Sequence, residues 1–236
     1  EYCVCGAHQK PPITKICGPV DFQPLLRGNV GRRYVYGIDP AMEVDNFSIV
    51  VLELWEDHYR IVYSWITNKK EHREKVELGL TTENAYYSYC ARKVRDLMKV
   101  FPCEKIALDS QGGGHGLMDA FNDTDKLQPG EEPLWPTIDF EKPKETDDKR
   151  GIHIIDVINF ADNNWTSQAN HLLRHDFDVR NILFPSFDNL SLLYAEVEDD
   201  QKNQLYDGME DNIMNIEELK NELSTITMTK TPTGKD

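Results

Sequence analysis

The sequence has 236 residues, 39% hydrophobic and 28% charged, with a formal net charge of −15. That is the make-up of a globular chain able to bury one large core, not of a disordered tail. No apolar run approaches the ~20 residues that a bilayer-crossing helix needs, so no membrane partner is expected. The acidic excess argues against a simple basic surface that grips nucleic acid unaided, though not against an enzyme whose metal ions bring positive charge to phosphates. Five cysteines, an odd number without a secretory signal, fit reduced thiols in a cytoplasm. The chain starts at Glu1 and stops in the turn-like Gly234-Lys235-Asp236, so we expect a piece cut from a larger protein, its carboxyl end truncated.

Residues 1–33 hold Cys3, Cys5, His8 and Cys17, interleaved with Pro11, Pro12, Pro19 and Pro24. Three thiols and an imidazole are a set that zinc takes tetrahedrally. The C-x-C-x₂-H-x₈-C spacing, however, lacks the two-residue knuckle of a zinc finger, and small buried cysteines are the plainer expectation. This stretch is expected to be a linker or extension, with the domain running over 34–236. Tyr34–Ile38 is a short apolar run ending on Asp39 and stopped by Pro40. Phe47–Trp55 and Tyr59–Ile66 follow, rich in β-branched and large apolar residues, which predicts three strands in series with the last two forming a hairpin.

After the polar stretch Asn68–Gly79, Thr81 and Thr82 are candidate caps for a helix with Glu83 in its first turn. Tyr86, Cys90, Val94, Leu97 and Phe101 recur at helical spacing, and Pro102 ends the segment. Lys105–Leu108 predicts a buried strand ending on Asp109. Strand, crossover helix and strand make a parallel unit, which would bring Asp39 and Asp109 to one edge of the sheet. Ser110-Gln111-Gly112-Gly113-Gly114-His115-Gly116 lacks the Gly-Lys-Ser/Thr of a phosphate-binding loop. It reads as a tight turn into a helix over Leu117–Phe121. Residues 122–151 read as a polar surface excursion. His153–Phe160 predicts a strand, Asn163–His175 a helix, and Asn181–Phe184 a strand. Leu190–Ala195 starts a helix running into the acidic tract Glu196–Asp211, a solvated surface by its charge pattern. Ile216–Leu223 predicts a helix and Ser224–Thr229 a strand.

An aspartate at the end of a buried strand is costly without a metal, a cation or several donors, and here two such aspartates converge. The element order is that of the ribonuclease H-like fold, a mixed central sheet of three antiparallel strands plus parallel strands, flanked by helices. Asp39 and Asp109 fall where that fold carries its first two metal-binding acids. Mg²⁺ prefers oxygen ligands, and a pair of such ions can activate water and stabilise a leaving oxygen in phosphodiester hydrolysis. Asp45, in the turn Pro40–Asn46, lies within reach of the same site or else caps its own turn.

The segments GIDPAMEVDNFSIVVLEL, KIALDSQGGGHGLMDAF, GIHIIDVINF, NNWTSQANHLL and ILFPSF resemble the nuclease domain of the large terminase subunit, the DNA-packaging motor of tailed bacteriophages. The resemblance covers roughly residues 34–231 and implies a metal-dependent endonuclease that cuts concatemeric viral double-stranded DNA with two Mg²⁺ or Mn²⁺ ions. It assigns the first and second metal acids to Asp39 and Asp109, and an accessory one to Asp45. It also implies as partners a terminase ATPase domain, of which this sequence carries no motif, a small terminase subunit and a portal protein, all in the host cell cytoplasm. The family's third acid follows the last strand. Asp236 is a candidate, and the true acid is expected beyond it. Other ribonuclease H-like nucleases such as resolvases and transposases, an actin- or Hsp70-like nucleotide-binding lobe with a glycine-rich loop, and a non-catalytic scaffold remain as alternatives. Removing Asp39 and Asp109 separates them by which activity is lost.

Overall fold

The computed structural model describes residues 22–40, 45–186 and 208–225. Cys3, Cys5, His8, Cys17, Leu190–Ala195 and Asp236 lie outside the described residues. Seven strands form one mixed sheet: β1 (Arg33–Asp39), β2 (Phe47–Leu54), β3 (Tyr59–Thr67), β4 (Cys103–Asp109), β5 (Leu134–Pro136), β6 (Ile152–Ile158) and β7 (Ile182–Leu183). Their spatial order is β5-β6-β4-β1-β2-β3-β7. β1, β2 and β3 pair antiparallel, whereas β4 joins β1 in parallel, β6 joins β4 in parallel, and β5 and β7 add parallel edges. Three antiparallel strands continued by parallel ones is the ribonuclease H-like arrangement, as the element order predicts.

Alternation decides which face is buried. In β1, Tyr34, Tyr36 and Ile38 point into the core, and in β2 Phe47, Ile49 and Val51 do the same. The helix α2 (Tyr86–Val100) supplies Tyr86, Cys90, Ala91, Val94 and Leu97 to that core. Nearly every residue of β3 is buried, because a last helix (Met209–Thr225) packs against it as well. Asn212 of that helix closes part of the strand's open edge. Its Oδ1 accepts from the Ser64 amide at 2.8 Å, and its amide donates to the carbonyls of Leu25 and Val62. Beyond the short pairing with β7, a strand edge covered in this way is no template for aggregation. The segment before β1 packs as well, with the Leu25 amide bonded to the Val62 carbonyl at 2.8 Å and Gly28 to Val100 at 2.9 Å.

At the amino end of β1 lies a buried polar cluster that the strand pattern conceals. Glu53 of β2 sits opposite Tyr34 and is 1% exposed. Its carboxylate accepts from the Tyr34 hydroxyl at 2.9 Å, Asn29 Nδ2 at 2.9 Å and Trp55 Nε1 at 2.7 Å. Burial pushes this carboxyl up, but those three hydrogen bonds and the nearby Arg60 charge more than offset it, and it is held below the ordinary glutamate value.

Several expectations need correction. Residues within the polar stretch form a helix, α1 (Lys69–Glu77), capped by Asn68 Oδ1 accepting from the Glu71 amide at 2.9 Å. Only His72 of this helix is buried, so it carries no apolar stripe to read. α2 begins at Tyr86 without a side-chain cap. Thr81 instead takes the Glu83 amide at 3.2 Å in a local turn, and Glu83 pairs with Lys126 at 2.7 Å. The excursion 122–151 is anchored to the fold: it contains β5, whose Leu134 is fully buried, and Arg92 and Arg95 of α2 hold Glu131 and the Glu132 carbonyl. The helix α3 (Gly114–Asn122) begins earlier than expected, within the glycine run. α4 (Asn163–Asp178) follows β6, and the last helix, hereafter α5, starts inside the acidic tract and includes Ser224 and Thr225. Those two residues are therefore helical where a strand is expected, and 226–229 lie outside the described residues.

Candidate metal centre at the carboxyl edge of the sheet

β1, β4 and β6 run parallel, so their carboxyl ends open on one edge, where ligands of open α/β sheets bind. Ile38 of β1 pairs with Leu108 of β4. Asp39 and Asp109 come one step later on neighbouring strands, which lie about 4.8 Å apart. The structure thus brings together the two acids singled out from the sequence.

The turn after Asp109 locks this arrangement. The Ser110 amide donates to the Ile158 carbonyl of β6 at 2.8 Å, and the Gln111 amide to the Asp109 carboxylate at 2.9 Å. Gly112 has φ 58°, a left-handed value that suits glycine. The Gly113 amide then donates to the Pro40 carbonyl at 3.0 Å, tying the residue after one acid to the loop after the other. A side chain at Gly114 would run into the Asp109 carbonyl, and one at Gly113 into the Tyr87 ring. The glycine run is therefore a close-packed strand-to-helix turn, as read from the sequence.

Electrostatics converge on Asp39. Its carboxyl is raised above the ordinary aspartate value by burial first, then by the charges of Asp109, Asp45 and Glu222. All four influences act in one direction, which is the signature of carboxylates gathered without a matching cation. Asp45 is exposed on its turn and bears on Asp39 through charge. Glu222, on α5, is the residue that sequence reading misses. The resemblance calls for a third acid near the carboxyl end, but an acid among Glu217, Glu218 and Glu222 on a polar helix is indistinguishable from solvated surface until α5 is placed. No three His, Cys, Asp or Glu side chains among the described residues stand together at metal-ligand spacing. The centre is thus a pair of strand-end carboxylates with two further negative charges around it. Among the described residues the acids gathered here are carboxylates, hard oxygen donors of the kind that Mg²⁺ and Mn²⁺ take while keeping several water ligands.

No family profile matches the chain, and no curated protein matches it. Among solved structures it is similar to the large terminase of a thermophilic bacteriophage, with 6% identity and a TM-score of 0.41, over 70% of this chain and 32% of that one. It therefore spans about a third of that protein's length. It is similar also to the Mn-soaked human cytomegalovirus terminase nuclease domain, with 12% identity and a TM-score of 0.41, over 84% of this chain and 88% of that one. The inhibitor-bound form of that domain gives 12% identity and a TM-score of 0.40, over 82% and 83% of the two chains. These likenesses are too distant to add to the fold assignment, which rests on strand order and direction.

Proposed function

We propose that this domain is a divalent-metal-dependent endonuclease acting on double-stranded DNA during viral genome packaging, as the nuclease part of a large terminase subunit. The supporting observation is the placement of Asp39 and Asp109 at the carboxyl ends of adjacent parallel strands, in a field of like charge that raises the Asp39 carboxyl. The motif resemblance set out above supplies the packaging context. With it come an ATPase domain, a small subunit and a portal protein as partners, and the host cell cytoplasm as location.

Asp39 and Asp109 would hold Mg²⁺ or Mn²⁺, two ions in all, and Asp45 would serve as an accessory ligand. When bound, these ions supply positive charge to the phosphodiester and make water a better nucleophile. The chain's own part is positional. The Gly113–Pro40 hydrogen bond keeps the two acid-bearing loops together, and the Gln111 amide orients the Asp109 carboxylate. Glu222 adds charge from α5, raising the demand for a cation. A nucleotide-binding lobe is disfavoured because its second loop leads into a strand, whereas here the glycine run opens α3.

The test is nicking and linearisation of supercoiled plasmid in Mg²⁺ or Mn²⁺, with a chelator control. Asp39→Ala and Asp109→Ala should each abolish cleavage while leaving the circular dichroism spectrum unchanged. Asp39→Ala should melt at or above the wild-type temperature, whereas Asp109→Ala also gives up the Gln111 amide hydrogen bond and should melt close to it. Wild-type cutting by either variant at saturating Mn²⁺ would remove that residue from the site.

A further inference from the structure

The edge that carries Asp39 and Asp109 continues onto β6. Ile158 pairs with Asp109, and its carbonyl accepts the Ser110 amide at 2.8 Å. Phe160 follows two residues later, so its Cα lies at most about 7 Å from that of Ile158. There Phe160 and Trp165 form an edge-to-face pair with centroids 5.1 Å apart and planes at 89°. They are 44% and 39% exposed, although aromatic rings of this size are ordinarily well buried.

A built turn holds the pair. The Ala161 amide donates to Asn159 Oδ1 at 3.0 Å, and the Asp162 amide to the Asn159 carbonyl at 3.1 Å. Asp162 Oδ1 accepts the amides of Asn164 and Trp165 at 3.0 and 3.2 Å, and Thr166 Oγ1 donates to the Phe160 carbonyl at 2.8 Å. Two exposed rings are thus fixed beside the acidic edge. In an edge-to-face pair the ring presenting its edge keeps both faces uncovered by its partner.

The surroundings suit a polyanion. In a chain of net charge −15, the stretch of α4 from Asn163 to His175 carries no acid but does carry Asn, Gln, Thr and Ser hydrogen-bonding groups, His171, His175 and Arg174. The acids lie at the helix ends, with Asp162 as the N-cap, its Oδ1 accepting the Asn164 and Trp165 amides, and Asp176 and Asp178 in the last turn. No residue of α4 is buried among the described residues, and Trp165 and Leu172 stand 39% and 62% exposed on it.

We propose that Phe160 and Trp165 are a stacking platform for an unpaired base, so that the strand reaching Asp39 and Asp109 is held single-stranded or locally melted. This rests on the nuclease reading above and specifies the form of its DNA. Base–aromatic stacking is tolerant of sequence, so the platform selects strandedness rather than a base.

The experiment uses the 236-residue chain and a fluorescein-labelled oligonucleotide, single-stranded or annealed to its complement, followed by anisotropy at one salt concentration with Ca²⁺ present. Phe160→Ala and Trp165→Ala should each weaken single-strand binding about tenfold, change duplex binding much less, and melt with the wild type. Trp165→Phe should recover most of the lost affinity, whereas Trp165→Leu, which fills space without an aromatic face, should not; a merely structural role would predict recovery by both. Unchanged single-strand binding in both alanine variants, or equal losses for both DNA forms, would overturn the platform. Hydrolysis of methyl p-nitrophenyl phosphate, a diester without a base, by the wild-type chain in Mn²⁺ reports on the carboxylate site alone. Failure there counts against the nuclease reading, whereas failure in the anisotropy series counts against the platform.

Discussion

Glu53→Gln tests what holds β1 in register, and hence what presents Asp39. The substitution keeps the side chain's shape and removes its charge. If the amide oxygen takes the Oε1 position, it still accepts from Tyr34 and Asn29, but Trp55 Nε1, now bonded to Oε2 at 2.7 Å, faces an NH₂ group. One charge-assisted hydrogen bond is lost, two become neutral, and the buried Arg60 loses a countercharge. Hydrogen bonds to charged groups are worth about 1.5–3 kcal/mol against roughly 1 for neutral ones, so the loss should be ~3 kcal/mol. For a domain of this size that corresponds to a melting temperature lower by about 6–12 °C. The pH dependence has a definite sign. Because the folded-state carboxyl lies below its ordinary value of 4.5, the gap between wild type and variant should be full above that pH. It should close as the pH falls through the folded-state value. Urea melts at pH 7, 5.5, 4.5 and 4 measure it. A difference below about 0.5 kcal/mol at pH 7, the scale of an ordinary surface substitution, would refute the reasoning, as would a gap that widens on acidification.

Gly114→Ala should cost about 1–3 kcal/mol by overpacking and reduce plasmid cleavage, because the new methyl meets the backbone of Asp109, which cannot yield as a flexible side chain would. Urea midpoints and cleavage rates check both parts, and a neutral substitution would show that the turn is looser than it stands here. Asp45→Asn should slow cleavage less than removal of either strand-end acid, since a turn residue is a less rigid ligand; a loss as complete as that of Asp39→Ala in the same plasmid assay would promote it to a principal ligand. Duplex binding should be weak in EDTA, strengthen when Ca²⁺ is added, and show a shallow salt dependence, because few phosphates are met by fixed cations. Tight binding in EDTA with a steep salt slope would reveal a basic groove that contradicts this account.

The central strands and the two aspartates were legible in the sequence because local chemistry specifies them. Period-two alternation marks β1 and β2, a run of β-branched and large apolar residues buried on both faces marks β3, and a carboxylate ending an apolar run announces itself wherever the strand lies. The glycine run was legible as a turn for the same reason, since nothing in it supplies a phosphate-binding lysine. α1 was not legible, because its stability comes from the Asn68 cap and from His72 docking on the Glu83 carbonyl at 2.8 Å, not from an apolar stripe. β5 was hidden in an apparently polar excursion, because three residues with one fully buried leucine make a strand only when β6 is there to pair. Glu53 reads as an ordinary polar residue in a strand until Asn29, Tyr34 and Trp55 close around it. Glu222 shows the same limit at the candidate metal centre. Whether a helical glutamate faces water or bears on Asp39 depends on where α5 packs, and long-range packing is a property of the assembled sheet that no local pattern encodes.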